Sequence, residues 1–125
     1  MAAIKLVHLS GYVTCDRRKF SYWSFWGCGK RPAVRDQVGV VITNFRDVIL
    51  TPHRPFLKND PGKFSLLPGF KSSSSKIILP LFSLYQLVSG EELRLWYGED
   101  LANHTETNNG GRVCCNVYAL YNRMV

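Results

Sequence analysis

The chain has 125 residues, of which 46% are hydrophobic and 20% charged; this suits one packed domain over residues 1–125 and excludes a disordered chain. No apolar run approaches the ~18 residues of a membrane span, so no membrane insertion is expected. The net charge of +7 is unevenly placed: residues 1–63 hold eleven Lys and Arg against four Asp and Glu, whereas residues 64–125 hold five of each.

Met1-Ala2-Ala3 leads straight into Ile4-Lys5-Leu6-Val7. There is no charged n-region ahead of an apolar stretch of roughly 7–15 residues, so no signal peptide is expected in the chain as written. Ile4 to Val13 alternates loosely between apolar and polar residues and reads as a strand with a break near Ser10-Gly11. Thr14 to Ala33 is polar, basic and aromatic, and reads as a long loop or a hairpin with an ordered tip. In it Arg17-Arg18-Lys19, Lys30-Arg31 and the nearby Arg35 are interleaved with Phe20, Tyr22, Trp23, Phe25 and Trp26. Such a mixture can stack bases or attract polyanions. Scattered Lys and Arg more commonly serve solubility, so no nucleic-acid partner is expected.

Val34 to Thr43 contains the strand-like VGVVIT, and Val48 to Thr51 pairs back after a turn at Asn44-Phe45-Arg46-Asp47. Pro52 to Gly69, with four prolines and a DPG turn, reads as connection. Ile77 to Tyr85 is apolar, with Pro80 making its middle an edge or a bend. Leu93 to Tyr97 and Arg112 to Tyr121 form two further strands, the second with Val113, Cys115, Val117, Ala119 and Tyr121 on one face. Helical periodicity is absent throughout. Strand signals recurring every ~8–15 residues predict an all-β fold, a β-sandwich.

Four cysteines, Cys15, Cys28, Cys114 and Cys115, leave the pairing open. A Cys15–Cys28 bridge would tie down the polar loop. Cys114 and Cys115 are neighbours on a predicted strand and face opposite sides, one towards the core and one towards solvent or another chain. They do not make a C-x-x-C unit for zinc or redox work.

Between the last two strands lie Glu99, Asp100, Asn103, Thr105, Glu106, Thr107, Asn108 and Asn109, followed by Gly110-Gly111. Carboxylates and amides gathered between β arms suit a hard cation such as calcium, which takes about 6–8 oxygen ligands. Zinc would want His and Cys, and only His104 is there. The same residue types build any polar turn, so that reading stays beside the first.

The pattern LWYGEDL, then T-x-x-N-N-G-G, then a strand, resembles the small galactophilic calcium lectins of the PA-I type. That likeness covers Tyr97–Val117, with a weaker echo at Gly11-Tyr12. Over Gly11–Tyr121, stretches such as FWGCGKRP, KIILPLF and GGRVC also resemble modules of cnidarian extracellular and skeletal-matrix proteins. The lectin resemblance implies a galactose-binding-like jelly-roll sandwich that holds calcium, with galactose hydroxyls completing the coordination. Carried over, it implies Asp100, Asn108 and Asn109 as side-chain ligands of calcium, with backbone carbonyls from Thr105 and from near Cys15. It implies sugar contacts by Asp100, Asn108 and the backbone of Leu101, with Gln37 or His53 standing where the family has Gln and His. The chain departs from the bacterial pattern by one extra residue between Asp100 and Asn108 and by having only ten residues before Gly11.

The resemblance thus implies a secreted, non-enzymatic lectin for galactose-containing glycans. Crosslinking glycans needs multivalency, so a homo-oligomer, a dimer or larger, is expected. Two alternatives stand beside it: a matrix or adhesion module in which calcium only rigidifies the loop, and polyanion binding by the basic half. Asp16, Asp36, Asp47 and Asp60 are dispersed, and Ser, His and Cys form no triad, which argues against an enzyme. Asn103-His104-Thr105 is a glycosylation sequon that would crowd the same loop.

Overall fold

A computed structural model describes residues 2–52, 56–59, 63–81, 88–102 and 109–121. The elements are β1 (Ala2–Thr14), a 3-10 turn (Phe20–Tyr22), β2 (Val40–Thr43), β3 (Ile49–Thr51), β4 (Leu57–Asn59), β5 (Phe64–Ser65), β6 (Lys76–Pro80), β7 (Arg94–Tyr97), a single helical turn α1 (Gly98–Ala102) and β8 (Gly110–Tyr121). One antiparallel sheet has the order β6-β1-β8 and a second β3-β2-β7, while β4 and β5 form a small pair of their own. The all-β sandwich expected from the strand pattern is the observed architecture.

The sandwich closes because each sheet turns an aliphatic face inward. Ile4 and Leu6 of β1 and Ile77 and Leu79 of β6 meet Val40 and Ile42 of β2 and Leu50 of β3 in one buried cluster. Each such side chain contributes about 1.5–3 kcal/mol on leaving water. Trp26 is sunk among them, and its indole N–H donates to the Ser74 carbonyl at 2.6 Å, so its polar edge is satisfied.

Three departures from the sequence pattern have local causes. β1 does not break at Ser10-Gly11 but continues to Thr14, with a bulge between His8 and Ser10. Gly11 takes φ +84°, and a Cβ there would run into the Arg112 carbonyl across the ladder. The glycine therefore marks a strand that bends, not one that ends. The proline-rich connection after Pro52 holds β4 and β5, paired through Leu57–Ser65 and Asn59–Phe64. On β8 the expected core face is buried only in part. Val113 and Cys115 pack against the core, whereas Val117 is 56% exposed and Ala119 is also exposed. The facing strands β2, β3 and β7 run four, three and four residues, too short to cover a strand of twelve.

Cys15 and Cys28 are joined as a disulfide with Cα atoms 5.4 Å apart. Cys114 is exposed and Cys115 is partly covered, as their opposite faces on a strand require. Burial, then the neighbouring Cys114, push the Cys115 thiol up, away from the reactive thiolate form.

Candidate functional site

β7 and β8, the two arms of the polar loop, belong to different sheets, so the chain crosses the sandwich between them. Tyr97 anchors the near side of that crossing. Its ring packs against the main core and against a second cluster of Cys15, Tyr22, Cys28, Val34 and Phe64. Its hydroxyl donates to the Gly27 carbonyl at 2.9 Å. Burial, reinforced by Glu99 and Asp100, pushes the phenol far up, so it stays a donor. The next residue, Gly98, donates its N–H to the Gly39 carbonyl at 2.6 Å.

The crossing begins with α1, a helical turn that the strand pattern did not indicate. Glu99 and Asp100 lie in its first turn, where carboxylates suit the helix dipole. The two part company: Glu99 is 6% exposed, whereas Asp100 faces solvent and Leu101 is half-buried. The far side of the crossing is Asn109. Its side-chain N–H donates to the Asp100 carboxylate at 3.1 Å, and its backbone carbonyl accepts from the Arg17 guanidinium at 2.6 Å. Its side-chain oxygen Oδ1 is buried and takes no hydrogen bond from the described residues. An orphaned acceptor of this kind costs about 1–3 kcal/mol unless something fills it.

Asp100, Asn109, Arg17, Tyr97 and the Gly110-Gly111 backbone line a cavity of ≈ 290 Å³. Its donors are a carboxylate and an amide oxygen, the hard-oxygen chemistry that suits calcium. Among the described residues no group of three or more His, Cys, Asp or Glu assembles, at this cavity or elsewhere. The segment around Cys15 comes to the same place by register: Val13 pairs with Gly111 and Thr14 with Gly110. Thr105, Asn108, His53 and the sequon at Asn103 lie outside the described residues. Gln37 is not among the described residues lining the cavity; its amide N–H lies 3.4 Å from the Ala33 carbonyl.

Gly111 is the hinge of the exit. It holds φ +89°, and a Cβ would strike the Tyr12 carbonyl and come within 2.6 Å of the Trp23 ring. Gly111→Ala is therefore expected to lower stability by about 2 kcal/mol, read as a lower urea midpoint with an unchanged slope.

Two adjacent residues to which sequence reading gave no role are held in place here, and the first of them lines the cavity. One is Arg17, which appeared only as part of a basic run. The other is Asp16, 1% exposed and held by Arg18 at 2.9 Å and Arg31 at 3.2 Å. The Arg18 guanidinium holds the Asp16 carboxyl well below the usual carboxylate range, against the opposing pull of burial, and Arg31 adds to it. A depressed folded-state pKa gives stability that is full above the ordinary carboxylate value of about 4 and is lost as pH falls below it. Asp16→Asn is expected to cost about 1–3 kcal/mol at neutral pH and to flatten the acid limb of a melting-temperature profile. An acid limb identical to that of the wild type would show that Asp16 is not its source.

No family model and no curated protein matches the chain. Among solved structures it superposes on AJLec, a lectin from the sea anemone Anthopleura japonica, with a TM-score of 0.83 and 27% identity over 97% of this chain and 79% of that one. The chain has a cnidarian lectin-like fold.

Proposed function

We propose that the protein is a calcium-dependent, galactose-specific carbohydrate-binding lectin. Asp100, Asn108 and Asn109 hold the ion through side-chain oxygens, Thr105 and Cys15 through backbone carbonyls. Sugar hydroxyls complete the coordination and meet Asp100, Asn108 and the Leu101 backbone. The observation that carries this reading is the buried, unfilled Oδ1 of Asn109 beside the Asp100 carboxylate. The likeness to a sea-anemone lectin supports carbohydrate as the ligand class.

The chemistry is equilibrium recognition with no bond made or broken. A single carboxylate among the described lining residues, sharing its cavity with the cationic Arg17, implies calcium affinity of about 10⁻⁴–10⁻³ M, the range of extracellular modules. Secretion follows from that range, and the Cys15–Cys28 disulfide accords with it. Multivalency comes from a homo-oligomer, for which the uncovered length of β8, with Val117, Tyr118 and Leu120 exposed, offers apolar surface.

Chromatography on immobilised galactose tests the reading. Retention in calcium and release by chelator are expected. Flow-through in calcium, or retention that chelator does not touch but salt abolishes, contradicts it; the second result points to polyanion binding by the basic half.

A further inference from the structure

The basic run Arg17-Arg18-Lys19 divides into three cations with different surroundings. Arg18 is neutralised by the buried Asp16 carboxylate, which Arg31 also holds. Lys19 has its ammonium over the Tyr22 ring, 5.7 Å from the centroid. Of the three, only Arg17 lines the polar cavity, where its Nε donates to the Asn109 carbonyl at 2.6 Å. Among the described residues Arg17 makes no ion pair.

Asp100 lines the same cavity, yet the two charges do not pair. Each holds Asn109 from its own end, Arg17 at the backbone carbonyl and Asp100 at the side-chain amide. A guanidinium offers its N–H donors in a planar fork. With Nε engaged, both terminal nitrogens remain, and they form the edge that matches two oxygens of an anion. The bond to Asn109 anchors that edge at the cavity wall, and Arg17 is exposed, so an incoming ligand reaches it. A cation on the wall of a calcium site opposes the ion unless the ligand brings negative charge of its own.

We propose that Arg17 is a specificity residue for galactosides that carry an anionic group, a sulfate ester or a carboxylate, on the exocyclic carbon. The inference rests on the lectin reading above and narrows its substrate class. Hydroxyls fixed side by side on the ring suit the ion. The exocyclic carbon turns about a single bond, so its substituent swings to the guanidinium without moving the ring.

Titration calorimetry in calcium with methyl β-galactoside, its exocyclic sulfate ester and methyl β-galacturonide tests it. The sulfate is expected to bind the wild-type protein about five- to thirtyfold tighter than the neutral galactoside, and the advantage should shrink as salt rises. Arg17→Gln puts an amide N–H where Nε stands, so a donor to Asn109 is kept while the fork is removed. The ratio of sulfated to neutral affinity should then fall to about one. Arg17→Lys, a charge without the fork, should keep part of the preference. Arg112→Gln removes an exposed cation that follows Gly111 but is not among the described residues lining the cavity, and should leave the ratio at its wild-type value. Because the readout is a ratio within each variant, a general loss of affinity from a disturbed loop does not mimic the result. A galacturonide that matches the sulfate shows that charge suffices; one that matches the neutral sugar restricts the site to sulfate, and both leave it standing. A sulfate that binds the wild type no tighter than the neutral galactoside, a preference that survives Arg17→Gln, or one that Arg112→Gln erases as fully, overturns the subsite alone. No binding of any galactoside overturns the lectin reading and the subsite together.

Discussion

Asp100→Ala is expected to abolish calcium-dependent galactose binding, with affinity falling by about a hundredfold or more. Changing groups that merely support a metal ligand commonly costs about 10–100-fold, and Asp100 is proposed as a ligand itself and the sole formal negative charge among them. It would lose the ion and its own contact with sugar hydroxyls in one step. The fold should survive, because Asp100 is exposed and its hydrogen bond to Asn109 lies at the surface. Asn108→Ala should behave alike. Calorimetry of both variants, with melting curves as the control for folding, checks this. Wild-type affinity in both places the site elsewhere, and the basic, aromatic segment from Arg17 to Trp26 becomes the place to look.

The second large effect is expected from Cys15→Ser with Cys28→Ser. The bond closes a loop with a sequence separation of 13, for which chain entropy alone gives about 3 kcal/mol. In a domain of this size that corresponds to a fall of about 10–15 °C in melting temperature. Both sulfurs also sit in the buried cluster with Tyr22, Val34 and Phe64 that supports Tyr97. The loss should therefore reach the site, since Arg17, which grips Asn109, stands on the loop the bridge closes. Calcium and galactose affinity should fall even where the protein is fully folded. A lowered melting temperature with unchanged affinity would confine the disulfide to stability.

Some of this was legible in the residues. Alternation in Ile4–Val13 and the VGVVIT run located β1 and β2, because one-sided or full burial imposes those patterns directly. The opposite faces of Cys114 and Cys115 followed from strand period, whereas spacing allowed the Cys15–Cys28 bridge without choosing it over the other pairings. The helical turn at Gly98–Ala102 was not legible, since five residues carry no periodicity. The exposed half of β8 was not legible either. Its alternation is that of a buried strand, and only the shortness of the opposing strands leaves Val117 uncovered.

For the site, the sequence pointed to Asp100 and Asn109, and the structure brings those two into hydrogen-bond contact across the loop. It did not point to Arg17, ninety-two positions away from Asn109 along the chain. Nothing local in Arg17-Arg18-Lys19 separates a cation that grips a loop from one that faces water. Only the pairing of β1 with β8 joins the two segments. The aromatic residues of Phe20–Trp26 divide likewise: Trp26 enters the core, whereas Phe20 stays in solvent.

The most direct test of the central claim is isothermal titration of galactose into chelator-treated protein, with and without added calcium. Binding heat that appears only with calcium is the predicted result. Heat with calcium but none with galactose would leave an ion that stiffens the loop without presenting a sugar site. Silence for both would contradict the account, and the crossing from Gly98 to Gly111 would be an ordinary turn.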